Sequence, residues 1–150
     1  MTAADPRRRT RPAQGLIDTN VVILLKHLDA TELPDEPLVS AVTIAELSAG
    51  PHLTDDPHER AARQAHLQQA EADFESIPFD TQAARAFGRV AADLRRAGRK
   101  STAQALDALI AATAVAHGLP VYTTNAADFT GIENLDVRTV ARPRTDLPDG

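Results

Sequence analysis

Four carboxylates in this 150-residue chain occupy places where an acid is expensive. Asp18 closes the apolar run "GLID" just before "VVILL", with only Thr19 and Asn20 between, and Glu46 lies within "AVTIAELSAG". Asp107 stands in "QALDALIAATAVAHG", small or apolar on every side of a helical wheel, and Asp128 in "YTTNAADF", next to an aromatic. A helix that is apolar all round is buried on most of its surface. A lone carboxylate there is costly unless something compensates it. Most of the other acids sit in loops, at caps or on polar faces, where water serves them. Brought together, four carboxylates repel and some hold a proton; a divalent cation relieves that conflict. Oxygen donors in a chain without cysteine suit Mg²⁺ or Mn²⁺ rather than a structural Zn²⁺. Each acid also has a local explanation: Asp18 as a helix N-cap, Glu46 as an exposed helix position, Asp107 as the partner of an arginine from the preceding helix, Asp128 as a turn residue. These are four separate explanations, whereas one metal site accounts for all four acids at once.

The elements that must position these acids follow from periodicity and turn signals. "GLID" reads as a strand and "VVILLKHLD" as a helix; "EPLVSAV" is a second strand, and "TIAELSAG" a short helix with Thr43 as N-cap and Gly50 near its end. "DPHERAARQAHLQQAEADF" is a long, mostly polar helix, "ESIPF" a strand, and Asp80 caps "TQAARAFGRVAADLRRAG", an amphipathic helix ending at Gly98. The apolar helix around Asp107 is stopped by Gly118 and Pro120, and "PVYTT" and "DVRTV" are the last strands. Strands alternating with helices imply an α/β fold with a mostly parallel sheet and helices on both faces. Ligands of such sheets gather outside the carboxyl ends of the strands. Asp18 and Asp128 fall at or just beyond strand ends, and Glu46 falls one turn into the helix after a strand. All four acids are therefore expected at one edge of the sheet. Residues 1–14 read as a basic arm, 15–141 as one domain and 142–150 as an irregular tail.

With 43% hydrophobic residues the chain is expected to fold around a sizeable core. The lack of cysteine excludes disulfides and thiolate ligands and suits a reducing compartment. The N-terminus has no apolar segment of the signal-peptide kind, and no apolar run approaches the roughly 20 residues of a membrane span. A soluble, cytoplasmic protein is expected. A net charge of -5 argues against a uniformly basic nucleic-acid binder. Basic residues nevertheless cluster at Arg7, Arg8, Arg9 and Arg11, and again at Arg85, Arg89, Arg95, Arg96, Arg99 and Lys100. They are either solvated faces or a footprint for a phosphate backbone around the acids. The five histidines are scattered, without the pairing of a two-histidine ribonuclease, and read as surface or structural residues. Few aromatics leave little basis for a base-stacking platform.

"LIDTNVVI", "VSAVTIAELSAG", "LDALIAATAVAHGLPVYTTNAADF" and "VRTV", in this order between about residues 16 and 140, resemble PIN domains, in particular the VapC ribonuclease toxins of bacterial toxin–antitoxin pairs. The resemblance implies a three-layer α/β/α sandwich around a central, mainly parallel five-stranded sheet. It matches Asp18, Glu46 and Asp107 to the first three family acids and Asp128 to the acid of an "NxxDF" motif, the fourth acting less directly. Thr19 and Asn20, and Thr123 and Asn125, match polar residues of the same pocket. Arg99 and Lys100 match basic residues before the third acid and are candidate RNA contacts. The arginine arm is an addition to the pattern. The activity implied is that of a Mg²⁺-dependent endoribonuclease, with Mn²⁺ as the alternative ion. Water would attack phosphorus in line, leaving 5′-phosphate and 3′-hydroxyl ends. The partners implied are RNA, a VapB-like antitoxin whose C-terminal segment crosses the groove, and a second copy of the chain, paired through the apolar helices at 21–28 and 43–48.

Two rivals compete with this reading. A receiver-type phosphotransfer domain also ends a strand on an aspartate, but it wants a paired acid after the first strand and a lysine after the last. "LIDTN" holds a single acid, and neither Lys26 nor Lys100 is in place. The other rival is an inert PIN-like module that binds RNA or protein without cutting. Metal-dependent cleavage separates it from a nuclease.

Overall fold

A computed structural model of the chain describes residues 13–99 and 104–143. Lys100, the arginines of the arm and the tail from residue 144 lie outside the described residues. Five strands, β1 (Gln14–Ile17), β2 (Glu36–Ser40), β3 (Glu75–Ile77), β4 (Val121–Thr123) and β5 (Val137–Thr139), form one sheet in the order β3-β2-β1-β4-β5. Every pairing in it is parallel. The helices are α1 (Thr19–Leu24), α2 (Ala41–Ala49), α3 (Pro57–Asp73), α4 (Thr81–Arg96) and α5 (Ala105–His117).

Alternation along the strands builds the three layers. Successive side chains of a strand point to opposite faces. Leu16, Leu38 and Val121 pack with Val90 of α4 and with Ile110, Ala111 and Ala114 of α5. Their neighbours Ile17, Val39 and Tyr122 pack with Val21 and Val22 of α1, Leu47 of α2 and Ala70 of α3. Both faces of the sheet are thereby dry, as the continuous apolar runs of parallel strands require. The small residues of α5 let it lie close against α4. Gly118, in the left-handed conformation at φ 64°, ends that helix, as its position predicts.

The local details differ from expectation in several places. The first helix stops at Leu24 and tightens into a 3₁₀ turn at Leu25–His27 instead of running through "KHLD". The second strand ends at Ser40, whose hydroxyl accepts from the Val42 N–H and caps α2; Thr43 is inside the helix, not its cap. α4 ends at Arg96, with Ala97 as its C-cap. Ala105 and Leu106, in the first turn of α5, are exposed, and the fully buried stretch of this helix is confined to Ala108 and Ile110–Ala114. The apolar residues expected to form a dimer face are mostly core: Val21, Val22 and Leu47 are buried, and Ile23 alone among the large apolar residues of α1 is exposed.

Candidate active site

The chain runs from β1 through β2 to β3 on one side of the sheet, then returns to β4 beside β1. The carboxyl ends of β1 and β4 therefore mark the reversal of strand order, where α/β sheets open a crevice. Asp18 follows β1 directly and is 4% exposed. Its Oδ1 accepts from the Val21 N–H at 3.0 Å, so this acid does cap α1. Thr123, the last residue of β4, donates its hydroxyl to Asp18 and accepts the Asn125 N–H at 3.0 Å. Burial nonetheless dominates and pushes Asp18 above the usual aspartate value, with a further rise from the charge of Asp128. A capping role alone does not bury a charge beside other charges.

Glu46 is half-buried, in the second turn of α2. Burial raises its pKa first, a hydrogen bond from Thr19 lowers it, and Asp18 raises it again. The Thr19 hydroxyl lies 2.8 Å from Glu46 Oε1 and 3.1 Å from Thr43 Oγ1. An ionised carboxylate only accepts, so the single Thr19 proton is committed to Glu46 and the Thr43 hydroxyl donates to Thr19. Thr43, fully buried, is a residue the sequence reading placed at a cap. Its spacing of three from Glu46 was the available signal, since such pairs share a helix face.

Asp107 lies in the first turn of α5, where the helix emerges from the core. Burial, then the charges of Asp128, Glu46 and Asp18 in that order, push it up to about 6, against a small opposing effect of Arg99. Asp128 sits in a 3₁₀ turn, Ala126–Phe129, that starts at Asn125. Its backbone N–H bonds the Asn125 carbonyl at 3.1 Å, while the Asn125 side chain makes no capping bond. The four acids thus come from four segments of the chain and face one another electrostatically. Among the described residues, no three carboxylate or imidazole groups are gathered closely enough to grip an ion as they stand. The acids repel one another without closing into a cage. Asn20 is exposed.

Beside Glu46 a cavity of about 380 Å³ opens between α1, α2 and α3, lined among others by Thr19, Asn20, Ile23, Arg63 and His66. His66, read from sequence as surface or structural, therefore lines the same cavity as Glu46. Arg99, expected to face RNA, donates Nε to Gln104 and Nη1 to the Ala127 carbonyl. Among the described residues no helix is long and apolar enough to cross a membrane.

Residues 16–134 match the PIN domain family model. Ribonuclease VapC5 of Mycobacterium tuberculosis is 36% identical over 83% of this chain and 91% of its own length. Ribonuclease VapC1 of Rickettsia felis is 28% identical over 84% of this chain and 96% of its own. Among solved structures, a VapBC-5 toxin–antitoxin structure from M. tuberculosis superposes with a TM-score of 0.75 at 35% identity, covering 86% of this chain and all of that one. A match over most of the chain, and a relative of that identity and coverage, mean that this protein belongs to the PIN domain family, among its VapC members.

Proposed function

We propose that the chain is an endoribonuclease toxin of a VapBC-type pair that hydrolyses RNA phosphodiesters with Mg²⁺, or Mn²⁺ in its place. One observation carries the reading: Asp18, Glu46 and Asp107, from separate segments, gather by the strand-order reversal with their proton affinities raised by burial and by neighbouring carboxylates, Asp128 among them. Such repulsion is what a hard divalent cation relieves, and the donors are all oxygen. Asp18, Glu46 and Asp107 are the residues that would hold it, with Asp128 completing the set. Once bound, the ion supplies charge neutralisation for the phosphodiester and a water acidic enough to attack it at neutral pH.

The chain's own residues do the rest. Thr123 and the Val21 N–H keep the Asp18 carboxylate aimed from the end of β1. Thr19, backed by Thr43, fixes Glu46 through Oε1. Asn20, exposed, and Asn125, half-buried, are the polar side chains offered to the substrate. The likeness to VapC5 and to a VapBC-5 structure supports RNA as substrate and a VapB-like antitoxin as partner. Exposed Ile23 and Leu53 are candidates for a homodimer or antitoxin contact.

The test is cleavage of total cellular RNA by antitoxin-free protein, with Mg²⁺, with EDTA and with Asp107→Asn, followed by end-mapping. Metal-dependent cuts with 5′-phosphate ends, lost in the variant, support the nuclease and name its substrate. A folded protein that binds RNA in Mg²⁺ or Mn²⁺ and never cuts it sinks the proposal.

A further inference from the structure

We infer that Arg99 is a positioning residue, the tie that sets the distance between the segment carrying Asp107 and the turn carrying Asp128. The inference rests on the metal-site reading above. Its first support is that the Arg99 backbone is itself fixed. The Arg99 N–H bonds the Leu94 carbonyl at 2.9 Å, and Gly98 before it is left-handed at φ 77°. This closing motif points the side chain away from the end of α4 at a defined angle.

From there one planar guanidinium spans two segments. Nε donates to Gln104 Oε1 at 3.1 Å, three residues before Asp107. Nη1 donates to the Ala127 carbonyl at 2.6 Å and reaches the Thr130 carbonyl at 3.5 Å, on either side of Asp128. The rigid fork of arginine makes such a bridge specific in a way a lysine ammonium cannot.

The chain beyond Asp128 is held to the same helix end by other means. Asp93, buried and paired with Arg96, accepts the Glu133 N–H at 3.0 Å. A Cβ at Gly131 would come within 2.7 Å of Ala97 Cβ, so the loop lies directly on α4 there. These contacts fasten the loop to α4. Only the Arg99 contacts, among those described, also reach Gln104 at the threshold of α5. Nε and Nη1 are both committed to partners within the chain, an arrangement that fits a tie between segments better than a free phosphate contact. The charge of Arg99 also sits beside like charges that would otherwise spread apart.

The experiment measures Mg²⁺ binding to RNA-free protein by calorimetry, and binding of a labelled RNA oligonucleotide in EDTA, for wild type, Arg99→Gln and Arg99→Lys. Loss of a residue that orients metal ligands costs roughly ten- to a hundredfold in metal affinity. Arg99→Gln is expected to lower Mg²⁺ affinity about tenfold and leave RNA affinity within about twofold, with Arg99→Lys recovering only part. Gln104→Met removes one acceptor of the tie without touching the charge; a weaker drop in the same direction supports the inference even if Arg99→Gln fails to fold. Reduced RNA affinity with unchanged Mg²⁺ affinity overturns it in favour of a phosphate contact. Unchanged values in every variant, against intact wild-type Mg²⁺ binding, overturn the tie alone. A wild-type chain that binds no Mg²⁺ overturns the metal-site reading, and the tie with it.

Discussion

Asp107 shows how a single side chain's surroundings become measurable. Held near 6 instead of 3.8, its carboxyl binds a proton more tightly in the folded chain than in the unfolded one. Between about pH 4 and about pH 6 the folded state therefore carries more protons. Stability of the metal-free protein must fall as pH rises through that window and level off above it. Urea melts in EDTA should show this decline, and Asp107→Asn should flatten part of it, Asp18 and Glu46 supplying the remainder with the same sign. Metal-free stability that climbs with pH across the window would falsify the clustered arrangement. The Thr43–Thr19–Glu46 chain gives a second residue-level expectation. Thr43→Val keeps the shape and removes one buried donor, a loss of about 1 kcal/mol. If that donor supports Glu46, kcat on RNA drops roughly fivefold while Thr43→Ser stays near wild type; equal rates for both variants would mean the hydroxyl only fills space.

Among the elements, α2 and β1 bear most directly on the site. α2 carries Glu46, and its start depends on Ser40, fully buried at the end of β2. Ser40→Ala should destabilise the protein by about 1 kcal/mol, the usual worth of such a cap, read as a lower urea midpoint. An unchanged midpoint would show that α2 is set by packing alone. β1 lies between β2 and β4, and at Gly15 a Cβ would stand 2.4 Å from Tyr122 Cε1. Gly15→Ala overpacks that contact at a cost of roughly 1–3 kcal/mol, and it disturbs the strand that ends in Thr123. Its thermal midpoint should fall clearly, and a wild-type midpoint would mean the ring moves aside freely.

Taken whole, the molecule closes both faces of its sheet with helices and leaves one edge lined by acids. A ligand that binds only the folded chain stabilises it by mass action, about 2.7 kcal/mol at a hundred times its dissociation constant. Mg²⁺ in excess should therefore raise the thermal midpoint relative to EDTA, and Asp107→Asn should erase most of the rise. Equal midpoints with and without Mg²⁺ would contradict the proposed metal set.

Much of this was readable in one dimension. The strands announced themselves as short apolar runs bounded by turn residues, and Asp80, Gly118 and Pro120 marked helix limits because their chemistry is local. Asp18, Glu46, Asp107 and Asp128 stood out because a charge among apolar neighbours conflicts with burial wherever the chain goes. The α/β class and the edge of the sheet followed from the same logic. The strand order, by contrast, depends on which strands meet across long stretches of chain, and no local pattern encodes that. Thr43 could not be told from a cap until the helix was seen to start at Ser40. Arg99 read as a candidate RNA contact and not as a tie within the chain, because its carbonyl partners lie 28 and 31 residues away. Side chains that conflict with their own neighbourhood are visible in sequence; those satisfied by distant backbone become visible only when the chain has folded back on itself.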